Sequence, residues 1–266
     1  MFFNTKQLSY YYIIVKNQKG PFWLLLHGFM GSHNDFLTIA KQLPGTVIIP
    51  DLLGHGQSSH SGTLADFSIE HQADDLVELI TSITFQKVNV LGYSMGGRLA
   101  LSLALRHPQI VQKLFLESST AGIADNHERK ARLLNDQKLA RRLQEDSLKN
   151  FVNFWENLSL FSSQKKLPIH LQSFVRSQRL KQSNQGLVNS LLGMGTGTMP
   201  NYWDKLKTLN TETILFAGEL DPKFKKITTQ MQHLLPHSDH FIVNNAGHNI
   251  HLEQPKQFTK LILKRG

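Results

Sequence analysis

The sequence predicts an α/β architecture: a doubly wound, mostly parallel sheet with an all-helical lid set into it. Three observations carry that expectation. Short apolar runs of strand length alternate with segments of helical spacing. The alternation stops for about eighty residues and then resumes. A serine flanked by glycines stands where one strand hands over to a helix, in Gly92-Tyr93-Ser94-Met95-Gly96-Gly97.

The apolar runs are Phe22 to Leu26, Thr46 to Ile49, Lys87 to Leu91 and Lys113 to Leu116, then Thr213 to Ala217 and His240 to Val243. Continuous apolar strands are buried on both faces, as a parallel sheet between helical layers requires. Between them, Ile69 to Ile83 sets Leu76, Leu79, Ile80 and Ile83 on one helical face behind Ser68 as N-cap, and Met95 to Arg106 is a second helix. From Ile123 to Tyr202 no strand-like run occurs. Apolar residues fall instead at helical spacing: Leu133, Leu134 and Leu139, then Phe151, Phe154 and Trp155, then Leu187, Leu191 and Leu192, before a turn at Met194 to Pro200. The expected organisation is a core from residues 1–122 carrying the serine, a helical lid at 123–205, and the rest of the core at 206–266.

The 266 residues are 40% hydrophobic and 18% charged, far from the composition of a disordered chain. There is no cysteine, which excludes a disulfide framework, a thiolate metal site and a cysteine nucleophile. The run Tyr10 to Val15 is too short and too rich in tyrosine for the core of a secretory leader. No stretch reaches the roughly 20 apolar residues of a membrane span. These features point to a cytoplasmic protein that is not inserted in a membrane. The net charge of +9 is concentrated in the lid, where residues 123–181 hold 12 Lys and Arg against 6 Asp and Glu. No basic stripe interleaved with aromatics accompanies it, so the field suits a small anionic substrate rather than a nucleic acid.

A tight strand-to-helix turn strains the central residue and tolerates only small side chains two before and two after it. That pattern marks Ser94 as a nucleophile or base. Serine chemistry needs a histidine and an acid to orient it, in the chain order serine, acid, histidine on this type of sheet. Asp221, in Gly218-Glu219-Leu220-Asp221, and His248, in Ala246-Gly247-His248-Asn249, each follow a late strand, and strand ends of this kind converge on one crevice. Glu219 and Glu117 are alternative acids. The backbone N–H groups of Met95 and Phe29 are the expected donors to a developing oxyanion. His27 reads as a loop anchor, and Asp51, in the glycine-rich Pro50 to Ser58 turn, as a loop hydrogen-bonder. With base and electrostatic stabilisation supplied by the chain, neither metal nor organic cofactor is expected.

Arg98 lies four residues beyond Ser94 on an otherwise apolar helix. Helical side chains lean toward the N-terminus, so its guanidinium should point at the serine. It would either pair with a buried carboxylate of the chain or capture one from a substrate.

These residues resemble one family, the 2-succinyl-6-hydroxy-2,4-cyclohexadiene-1-carboxylate synthases of the α/β-hydrolase superfamily. The likeness runs through Leu26-His27-Gly28-Phe29, Pro50 to Gly56, Gly92 to Arg98, Glu117-Ser118, Phe154-Trp155, Arg179-Leu180, Gly195-Thr196-Gly197, Asp221 with Lys223-Phe224, and Ala246 to Asn249 with His251 and Glu253. The resemblance implies an α/β-hydrolase fold with the lid after its sixth strand. It also implies elimination of pyruvate from a small cyclohexene tricarboxylate in menaquinone biosynthesis. Ser94 would act as base. Arg98, Arg132 and Arg179 would hold the carboxylates, with Arg176 the alternative to Arg179, and Tyr93 and Trp155 would line the pocket. A serine hydrolase acting on an acidic small molecule is the competing reading.

Overall fold

A computed structural model describes residues 1–266. Eight strands form one sheet: β1 (Phe2–Asn4), β2 (Ser9–Lys16), β3 (Phe22–Leu26), β4 (Thr46–Pro50), β5 (Val88–Tyr93), β6 (Val111–Glu117), β7 (Glu212–Gly218) and β8 (Ser238–Val243). Their spatial order is β1-β2-β4-β3-β5-β6-β7-β8. The sheet is parallel from β4 onward, and β1 and β2 add an antiparallel edge. Those two edge strands were not among the expected runs. In β2 most residues are only half-buried, so tyrosines and aliphatics follow one another without marking an inner and an outer face.

The helices are α1 (Leu37–Ala40), α2 (Ile69–Ile83), α3 (Met95–Arg106), α4 (Asn126–Glu145), α5 (Leu148–Glu156), α6 (Ile169–Arg179), α7 (Asn184–Met194), α8 (Pro222–Leu234), α9 (Ile250–Glu253) and α10 (Pro255–Leu263). The Ser68 hydroxyl accepts from His71 N–H and starts α2 as the sequence suggests. One apolar layer, with Leu76, Leu99 and Leu103, packs under α2 and α3; another, with Phe36, Phe216, Phe258 and Ile262, packs under α1 and α10. The sheet is thus covered on both faces.

Helices α4 to α7 lie between β6 and β7 in the chain and form a small core of their own from Ala140, Leu143, Phe151, Val152, Leu187, Val188 and Leu191, closed by Met30. The expected contribution of Leu134 is corrected, for it is exposed. Helix α4 buries Asp136 instead, because the Arg132 Nε donates to its Oδ1 at 2.8 Å one helical turn away. No helix is long and apolar enough to cross a membrane.

Candidate active site

The turn between β5 and α3 holds Ser94 at φ 51° and ψ −103°, a strained conformation for a residue with a side chain. Its neighbours explain how the chain gets there. A Cβ at Gly92 would come within 2.4 Å of Gly96 O, and one at Gly96 within 2.1 Å of Leu26 O. Only glycine lets the helix start this close to the sheet.

The structure brings Ser94, His248 and Asp221 together. His248 Nε2 lies 3.0 Å from Ser94 Oγ, and Nδ1 lies 2.8 Å from Asp221 Oδ2. With Nδ1–H donating to the carboxylate, Nε2 is left to accept from the serine hydroxyl. Asp221 does two things at once: its Oδ1 also accepts from Phe224 N–H at 3.1 Å and caps α8 ahead of Pro222. The cap fixes the carboxylate that orients the ring. Glu117 sits elsewhere. Its carboxylate accepts from Ile250 N–H at 2.6 Å and His251 N–H at 3.0 Å, and pairs with His251 Nδ1 at 2.7 Å, all fully buried. Glu219 accepts from Asn245 N–H at 2.9 Å. Asp221 is therefore the only one of the three acids that reaches His248.

The remaining positions line one cavity above the serine: Phe29, Tyr93, Met95, Arg98, Arg132, Trp155 and Arg179. The N–H of Met95, at the first position of α3, has no intrahelical partner, as is general for a helix start. Tyr93 is buried between His248 and His251, at ring separations of 5.4 and 5.0 Å. Burial, with the nearby Glu117, pushes its hydroxyl well above the ordinary tyrosine value. Trp155 packs on Phe29, Phe151 and Phe161.

The three arginines are held differently. Arg98 is buried and has no carboxylate partner; its Nη1 donates to Met194 O at 2.6 Å, a free carbonyl at the C-terminal end of α7. Burial, and then the neighbouring Arg132, pushes its guanidinium down to about 9, against the pull of Asp136. It remains a cation at neutral pH, in want of an anion. Arg132 uses only its Nε on Asp136. Arg179 donates to Glu156 at 3.2 Å and to Gln164 at 3.2 Å, while Arg176 takes the other Glu156 oxygen and Asn153 outside the cavity.

Sequence reasoning gave no role to Lys223, Asp35 and His251, which also line the cavity. Lys223 adds a fourth cation there. It stood inside the Lys223-Phe224 pair, so its signal was present. Asp35, raised above the usual carboxylate range by burial, follows a loop with no motif to mark it. His27 is a loop anchor, with Nδ1–H donating to Gly28 O at 2.8 Å and Nε2 accepting from Leu52 N–H at 3.0 Å. No group of three or more His, Asp or Glu side chains is arranged to hold a metal ion.

The family described as the alpha/beta hydrolase fold matches residues 23–255. A Bacillus subtilis (strain 168) protein, provisionally named a 2-succinyl-6-hydroxy-2,4-cyclohexadiene-1-carboxylate synthase, is 41% identical over 238 residues, 89% of this chain and 87% of its own length. The synthase of that name from Enterobacter sp. (strain 638) is 28% identical over 236 residues, 88% of this chain and 87% of its own. Among solved structures, MenH from S. aureus superposes with a TM-score of 0.90 at 34% identity, covering 95% of this chain and 96% of that one.

Proposed function

Since the chain belongs to the α/β-hydrolase family and, within it, to the 2-succinyl-6-hydroxy-2,4-cyclohexadiene-1-carboxylate synthases, we propose that it eliminates pyruvate from 2-succinyl-5-enolpyruvyl-6-hydroxy-3-cyclohexene-1-carboxylate in menaquinone biosynthesis. The observation that carries this is the cavity itself: a Ser94–His248–Asp221 hydrogen-bond chain opens among Arg98, Arg132 and Arg179, and Arg98 has no anion of its own. A neutral ester would leave Arg98 buried without an anion. A substrate with three carboxylates would answer the three arginines, through bidentate contacts that guanidinium is shaped to make.

The ring proton at C2 lies beside the succinyl carbonyl. His248 takes the Ser94 hydroxyl proton, and Ser94 Oγ removes the C2 proton. The electron pair shifts through the ring to form the 2,4-diene and breaks the bond to the enolpyruvyl oxygen. His248 returns its proton to that oxygen, and the released enol becomes pyruvate. Asp221 stabilises the imidazolium between these transfers, and the N–H groups of Phe29 and Met95 face the oxygen that gains charge.

The test is pyruvate release by the purified protein, with mass spectrometry of the enzyme during turnover. We expect one pyruvate per diene formed and no covalent adduct on Ser94. An acyl-enzyme accumulating without pyruvate would instead select the hydrolase reading.

A further inference from the structure

His248 sits in an irregular loop between β8 and α9, where neither sheet nor helix fixes the backbone. One side chain holds it on either side of the ring. Glu253, at the end of α9, accepts from Gly247 N–H at 2.6 Å through Oε2 and from Asn249 N–H at 3.3 Å through Oε1. Its two oxygens thus bridge the residues on either side of the histidine. Burial raises the Glu253 carboxyl above the ordinary range, and the hydrogen bonds from Gly247 and Asn249 pull it back.

Ser163 belongs to the lid. It lies in the short 3-10 segment Ser159–Lys166 between α5 and α6, so close that a Cβ at Gly247 would fall 2.0 Å from its Oγ. Phe161 of the same segment stands edge-on to the His248 ring at 6.2 Å. The lid therefore meets the histidine loop at two points, Ser163 against Gly247 and Phe161 against His248.

We propose that Glu253 is a positioning residue: it sets the His248 loop for proton transfer with Ser94, and the Ser163 hydroxyl links that setting to the seating of the lid. The inference rests on His248 being the base for Ser94. Two backbone donors converge on a carboxylate as they could not on an amide, because glutamine would turn its NH₂ toward one of the two N–H groups.

The experiment measures labelling of Ser94 by a fluorophosphonate, which reports serine activation without the native substrate. Glu253→Gln should label at least about tenfold more slowly than wild type, with its melting temperature still well above the assay temperature and its affinity for the product unchanged. Ser163→Ala should be slowed severalfold. Formate added to Glu253→Ala should restore part of the rate by refilling the carboxylate site. Labelling of Glu253→Gln within twofold of wild type would overturn the proposal. If that variant does not fold, an unchanged rate in Ser163→Ala, which loses only one lid hydroxyl, would overturn the link to the lid, and a formate-insensitive Glu253→Ala the clamp. A wild type that resists labelling altogether would instead strike at the histidine-base reading beneath it.

Discussion

Arg98 bears the most weight at the scale of single residues, because it is a buried cation whose only polar partners are a helix-end carbonyl and a methionine sulfur. Arg98→Lys should lower kcat/KM by about tenfold, since an ammonium cannot make two parallel hydrogen bonds. Arg98→Ala should cost about 2 kcal/mol or more, roughly a thirtyfold loss, read as kcat/KM for pyruvate release. Arg132 and Arg179 are already part-held by Asp136 and Glu156 and should show smaller losses. If these variants instead melt early and keep their kinetics, the arginines are structural. The serine, the acid and the histidine were legible as residues in the sequence because each closes a strand. The choice of acid rested on placement, with Glu117 and Glu219 as alternatives, and the fold sends Asp221 to His248 and Glu117 to His251. Likewise Arg176 and Arg179 lie one helical turn apart and both pair with Glu156, and only the fold shows that Arg179 alone lines the cavity.

Among the elements, α9 depends on β6. Its first two N–H groups and the His251 ring all donate to the buried Glu117 carboxylate, so the strand end holds the helix start. Glu117→Gln should destabilise the protein by about 3 kcal/mol, lowering its melting temperature by roughly 10 °C in a thermal scan, because one buried donor loses its acceptor. An unchanged melting temperature would mean that α9 is held otherwise. The parallel strands and α2 and α3 could be read from apolar runs and a cap, since burial on both faces leaves a plain pattern. The edge strands could not, nor could the buried face of α4. The half-burial of β2 along most of its length and the buried Asp136 of α4, paired with a partly exposed Arg132, both break the rule that apolar residues mark the inside.

Taken whole, the molecule carries +9, most of it on the lid above the cavity. Raising ionic strength from about 0.01 to about 0.15 M shortens the Debye length from about 30 to about 8 Å and should lower kcat/KM severalfold while kcat holds. Insensitivity to salt would argue against a steered anionic substrate. Acid should loosen the fold through His27 and His55, both neutral in the interior. Burial lowers each, that of His55 to about 3. Below the unfolded value of about 6.5 the unfolded chain binds protons that the folded one refuses, so stability falls as pH drops, by up to about 1.4 kcal/mol per unit for His55. His55→Gln should flatten urea-derived stability between about pH 6.5 and 5 by that single-histidine slope; an unchanged slope would show His55 to be protonated in the fold. At the centre of the reaction, Ser94 with His248 would remove the ring proton. Single-turnover pyruvate release, with enzyme in excess over the enolpyruvyl substrate, tests it most directly. Wild type should release pyruvate rapidly and Ser94→Ala at least about a thousandfold more slowly with substrate still bound, whereas a Ser94→Ala rate above about a tenth of wild type would rule out Ser94 as the base.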